Sequence, residues 1–174
     1  NASTVATPLA SVTNNLGTSV TFATVASGTG PLTYAWKKNG TTIAGATTTS
    51  LTLTNLGYGD AGVYSVQVGG QCNATEQSAT LMINIPPTVS ILSPTNGEVF
   101  IAPANFTVLA DAQDVDGMVT NVQFFYGTTN LLGETGTASP SCIVLTNVQM
   151  GSYTFSAKAT DNLGATGSSA PVTI

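Results

Sequence analysis

Asp60-Ala-Gly-Val-Tyr64-Ser-Val66 decides the fold of this 174-residue chain. Asp60 and Gly62 are turn formers, and the residues after them alternate: Tyr64 and Val66 point to one face of a strand, Val63 and Ser65 to the other. A strand that leaves a turn and buries a ring, downstream of the only tryptophan, Trp36, marks those two aromatics as the centre of a core. Similar threonine-rich stretches of about four to eight residues recur between Gly, Asn, Asp and Pro clusters, the pattern of many short strands. No segment reads as a helix. The expected class is all-β.

Working outward from that stretch, the first half predicts strands around Val20 to Ala26, Leu32 to Lys38, Ser50 to Thr54, Val63 to Val68 and Ser78 to Ile85, with an irregular leading strand before Gly17. Asn39-Gly40 is a strong hairpin turn. The inward set is Val20, Phe22, Leu32 or Tyr34, Trp36, Leu51, Leu53, Leu56, Tyr64, Val66, Leu81 and Ile83. Pro86-Pro87 then removes two backbone donors and fixes two φ angles, which ends any strand. The boundary is therefore placed there, giving domains 1–85 and 86–174 joined by a short, stiff link. The second half predicts seven strands: from Thr88, over Phe106 to Ala110, Val119 to Tyr126, a hairpin through Gly127 to Leu132, Cys142 to Leu145, Tyr153 to Thr160, and Pro171 to Ile174.

Two families share these motifs. Gly30-Pro31-Leu-Thr-Tyr34-Ala-Trp36-Lys-Lys-Asn39-Gly40 together with Asp60 to Val66 resembles a bacterial relative of the immunoglobulin I-type domain. The order Thr88 to Gly97, Asp114-Val-Asp116-Gly117, Val122-Gln-Phe124-Phe-Tyr126 and Gly151 to Gly164 resembles the bacterial Ig-like modules of surface and secreted proteins. The resemblance implies two tandem Ig-like antiparallel β-sandwiches. It also implies that Trp36 packs between sheets and that Tyr64 is a tyrosine corner, bonding back to the turn that holds Asp60 and Gly62. Where antibody-type domains carry the inter-sheet cysteines, this chain has Val66 and the neighbourhood of Thr24, so that bridge is absent. Such sandwiches host many unrelated functions.

Composition narrows the function classes. Eleven charged residues, three lysines against eight acids, give a net charge of −5 without arginine or histidine. Nucleic acid and anionic membrane both need basic patches, so neither is an expected partner. No run approaches the roughly 20 apolar residues of a membrane span, and no signal segment opens the chain, which reads as a mature or excised piece of an extracellular or cell-surface protein. Catalysis lacks its usual groups, since histidine, the commonest acid-base residue, is missing and the acids fall in predicted turns. An enzyme is not expected.

The remaining candidates are few. Asp111, Asp114 and Asp116, with Asp161 at the same end of the sandwich, could present oxygen ligands to calcium; the same residues equally suit plain turn geometry, which is the preferred reading. No other cofactor is expected. Cys72 and Cys142 fall one per domain, so neither domain is stapled internally. In a head-to-tail arrangement they lie about a domain length apart, beyond the roughly 7 Å reach of a disulfide. Two free thiols, one partly buried, and an intermolecular bond between subunits are the alternatives. Tyr58 and Phe125 are the aromatics placed to stack on a glycan. Asn-x-Ser/Thr sequons at Asn1, Asn39, Asn73 and Asn105 are what chance supplies in a chain this rich in Ser and Thr.

These readings favour a non-catalytic structural or adhesive protein, a rigid tandem serving as stalk or building block of a surface filament. Low surface charge and open edge strands make head-to-tail self-association, or association with other surface proteins, the expected contact. The alternative is a polysaccharide-binding or spacer region of a secreted polysaccharide-degrading enzyme.

Overall fold

The computed structural model describes every residue except Asn1, Thr128 and Ala138. The chain divides into two units, Asn1–Asn84 and Ile85–Ile174. In the first, strands β1 (Val5–Ala6), β2 (Val12–Asn14), β3 (Val20–Ala23), β4 (Ala26–Ser27), β5 (Thr33–Lys38), β6 (Thr41–Thr42), β7 (Ser50–Leu53), β8 (Gly62–Gly69) and β9 (Ala74–Ile83) occur in order. One sheet runs β2-β9-β8-β5-β6; β3 pairs with β7 and β1 with β4. The β2–β9 pairing is parallel, and the other ladders of this unit are antiparallel.

Trp36 on β5 sits opposite Val66 on β8, and both are fully buried. Phe22, from β3 on the facing sheet, stacks on Tyr64 with ring centroids 5.4 Å apart. Leu56, Val68, Ala79, Leu81 and Ile83 complete the buried cluster, with Val20, Leu51 and Leu53 packed against it. Alternation puts these residues on one face, so the core forms between sheets rather than within one.

The strand expected over Val20 to Ala26 is two pieces. At Thr24 the chain changes partner from β7 to β1; the Thr24 amide donates to Thr49 O at 3.0 Å, and its hydroxyl to Thr7 O at 2.9 Å. The last strand starts at Ala74, earlier than expected, because it pairs with β8 along its length, from Gly69 opposite Ala74 to Gly62 opposite Leu81.

The second unit contains β10 (Thr88–Ser93), β11 (Ala104–Gln113), β12 (Val119–Tyr126), β13 (Asn130–Thr135), β14 (Ser141–Val148), β15 (Thr154–Asp161), β16 (Thr166–Ser168) and β17 (Val172–Thr173). A three-stranded sheet, β10-β11-β14, faces β13-β12-β15-β16, in which β17 also pairs with β15. The core is Val108, Ala110 and Ala112 from the first sheet against Val122, Phe124, Phe155, Ala157 and Ala159 from the second. The Ile85 amide donates to the Asp116 carboxylate at 3.1 Å, which ties that residue to the second unit. The β16 strand was not expected. Its central Gly167 has no side chain to signal a buried face, and a Cβ there would sit 1.8 Å from the Pro87 carbonyl oxygen.

Candidate functional site

Around the stretch that decided the fold, Tyr64 donates its hydroxyl to the Asp60 carbonyl at 2.8 Å, closing the corner. The Asp60 carboxylate accepts from the Gly57 amide at 2.8 Å, which shapes the single 3-10 turn Tyr58–Asp60. Gly62 has φ +148°, and a Cβ on it would lie 2.7 Å from the Asn39 amide oxygen, so a side chain is excluded there. The Trp36 indole donates to Thr48 O at 2.8 Å. Trp36, Tyr64 and Val66 thus share one buried cluster, and Asp60 and Gly62 form the turn that Tyr64 closes. Together they build the scaffold of the domain.

The four aspartates each accept hydrogen bonds within the second unit. Asp111 accepts from Gln113 Nε2 at 3.1 Å and from the Ser139 hydroxyl at 2.7 Å. Asp114 Oδ1 accepts from the Asp116 amide, Asp116 accepts from the Ile85 amide, and buried Asp161 accepts from the Leu163 and Ala165 amides. Among the described residues no group of three or more His, Cys, Asp or Glu is placed to hold a metal ion. One oxygen stands apart. Asp114 Oδ2 is buried without a hydrogen-bond partner among the described residues. Burial raises the Asp114 pKa, and the charges of Asp116 and Asp161 add to the rise. In the first unit Glu76 moves the opposite way: the Ser65 hydroxyl bond lowers it most, helped by Lys37 at 3.3 Å and opposed by partial desolvation.

Tyr58 is exposed in the first unit, whereas Phe125 is half-buried in the second. Within neither unit do they form a shared platform. A recess that the sequence did not announce lies at one pole of the second unit. It encloses about 470 Å³, walled by Phe100, Phe106, Val148, Met150, Tyr153 and Ile174. Phe100 stacks on Phe106 at 4.7 Å, and Gly151 lets the Tyr153 ring approach, since a Cβ would sit 3.2 Å from it.

Comparison with known proteins decides the family. The model of the immunoglobulin I-set domain matches residues 3–83, and that of the bacterial Ig domain matches residues 87–169. The chain is a tandem of two immunoglobulin-like domains. Among curated relatives, a decoration protein of Escherichia phage T5 is 36% identical over 81 residues, which is 46% of this chain and 49% of the phage protein. The tandem therefore aligns with about half the length of that relative. Among solved structures, an E-to-A variant of a three-Ig fragment of titin superposes with a TM-score of 0.71 at 20% identity, covering 99% of the tandem and 65% of the fragment. A second titin I-band fragment gives 0.62 at 20% identity, over 93% and 61%. At such identity these structures show the fold alone.

In the Ig tandem both cysteines are exposed and free. The expectation that one is partly buried is thereby corrected: Cys72 sits in the turn between β8 and β9, and Cys142 points outward on β14, whose inward positions alternate with it. The sequon asparagines Asn39, Asn73 and Asn105 are exposed, and each side-chain oxygen accepts a backbone amide. Asn39 Oδ1 accepts from the Val63 amide, Asn73 Oδ1 from Thr4, and Asn105 Oδ1 from Asn147. Asn1 lies outside the described residues. Sequence reasoning missed the recess because its walls come from three separate segments; the local signal was the apolar run Val99-Phe-Ile101 inside an otherwise turn-like stretch.

Proposed function

We propose that this Ig tandem is a non-catalytic structural module displayed on the outside of a virion or cell, as a stalk or building block of a surface assembly. The observation that carries the reading is that the tyrosine corner and the aspartates of the second domain spend their polar groups on holding the fold. The Tyr64, Asp111, Asp116 and Asp161 groups bond to backbone or neighbouring side chains, while histidine and arginine are absent from the sequence. Likeness to a phage decoration protein supports a place on the outer face of an assembly. Among the described residues no helix is long and apolar enough to cross a membrane.

The same reading extends to self-association. Exposed Cys72 and Cys142, one per domain, could lock a head-to-tail contact between copies, and a heterologous contact of that kind builds a filament unless it closes into a ring. Sedimentation at rising concentration, with and without reductant, tests it. Association that reductant weakens supports the filament; a strict monomer under both conditions removes the filament and leaves a displayed spacer. Specific binding of the chain to an insoluble polysaccharide would instead favour the accessory region of a secreted enzyme.

A further inference from the structure

We infer that the recess at the pole of the second domain is a docking socket for one aromatic side chain of a partner protein, a chain segment that carries a hydrogen-bond donor on its ring and no negative charge beside it. This goes beyond display, since a plain spacer would need no socket.

The size and lining set the first part. About 470 Å³ walled by Phe100, Phe106, Tyr153 and Met150 lies within the range that holds a bulky group. Rings packed against rings gain from offset and edge contacts, and a nearby thioether adds to them. The polar side chains of the lining set the second part. Glu98 brings a carboxylate, and one of its oxygens is already taken by the Thr95 amide and hydroxyl. Gln149 uses its Nε2 on Asn147 O and Oδ1, which leaves its carbonyl as the group to offer. Tyr153 donates its hydroxyl to Gln149 O, so its oxygen also remains an acceptor. The lining contains no lysine. Acceptors beside the Glu98 carboxylate favour a donor such as an indole N–H or a phenol, neutral or flanked by cations, and disfavour an anion.

The rim decides between a protein and a free small molecule. Val99, Ile101 and Met150 are 89%, 93% and 91% exposed, large apolar side chains almost wholly in water. Ile101 does not line the recess. A small ligand in the socket would leave it bare. A polypeptide that inserts an anchor covers the surrounding apolar rim as well, which is how an interface hot spot is built.

The test uses the full chain, labelled with nitrogen-15 and titrated with the blocked pentapeptide Gly-Lys-Trp-Lys-Gly. Amide shifts should gather at residues 98–106 and 148–153. Replacing the peptide's tryptophan by alanine should weaken binding about fivefold or more, and replacing its lysines by glutamate about threefold or more. Ala102→Trp, at an exposed lining position, should plug the socket and abolish the shifts while leaving the rest of the spectrum in place. Ile101→Ser, outside the lining, should weaken the peptide and leave free tryptamine unchanged. Absence of localised shifts at millimolar peptide, or equal binding of the alanine peptide, overturns the proposal. So does binding that survives Ala102→Trp. Tryptamine binding as tightly as the peptide would show a small-molecule site and overturn the protein partner.

Discussion

Replacing Trp36 by alanine should remove most of the stability of the first domain. A large ring buries about 150–250 Å², and at about 25 cal/mol per Å² its complete transfer amounts to about 4–6 kcal/mol. Alanine keeps the Cβ but leaves a cavity between β5 and the facing sheet, and ring-to-alanine changes in cores cost about 3–5 kcal/mol. The change also removes the indole N–H that the Thr48 carbonyl accepts at 2.8 Å. A domain of 84 residues has about 4–13 kcal/mol in all, so this one side chain accounts for a large share. Trp36→Phe separates the two contributions: it keeps a ring and loses the N–H, for about 1–2 kcal/mol. Urea denaturation followed by far-ultraviolet circular dichroism gives the magnitudes, and amide spectra of residues 2–84 report the domain affected. A loss below about 1 kcal/mol for Trp36→Ala, or equal losses for the two variants, would refute the argument that packing at this point holds the domain.

Gly167→Ala should destabilise the second domain by about 1–3 kcal/mol or more, because the new Cβ meets the Pro87 carbonyl oxygen at 1.8 Å and backbone must move. Gly136→Ala, with nothing within 4 Å of the new atom, is the control and should stay within about 0.5 kcal/mol in thermal melts. The two perturbed carboxylates give opposite pH slopes. The folded-state value of Glu76 is lowered, so its contribution is present above its ordinary value of 4.5 and is lost as pH falls through the folded value; Ser65→Ala should shrink that acid-side loss. The value of Asp114 is raised, so its contribution is full below 3.8 and is lost as pH rises through the folded value; Asp114→Asn should therefore raise the melting temperature at neutral pH and flatten the profile above 3.8. A chelator should leave the melting temperature unchanged, whereas a fall of several degrees that calcium restores would show that Asp111, Asp114, Asp116 and Asp161 close on an ion.

Alternation and turn chemistry are local, and they determined most of the architecture from the sequence by itself. The rule that side chains point to opposite faces every second residue placed Tyr64, Val66, Trp36 and Leu81 in the core, and Asn39-Gly40 and Asp60-Ala-Gly62 marked where strands had to turn. The absence of histidine and arginine was likewise legible from the sequence alone. What the sequence left open depends on residues that meet only after folding. The Asn73 amide binds Thr4, 69 residues away, and the Ile85 amide finds Asp116, 31 residues on. The aspartates illustrate the limit: their spacing allowed either an ion site or turns, and which donors reach each carboxylate is visible only in the fold. Gly167 gave no sign of a strand because its requirement is the closeness of Pro87, a property of two crossing chains. The recess walls come from residues 98–106, 148–153 and 174, and the acceptor character of their polar groups appears only after internal bonds have taken the donors. Pairwise periodicity is written along the chain, whereas cavities and hydrogen-bond partners are written across it, and only the tertiary structure decides them.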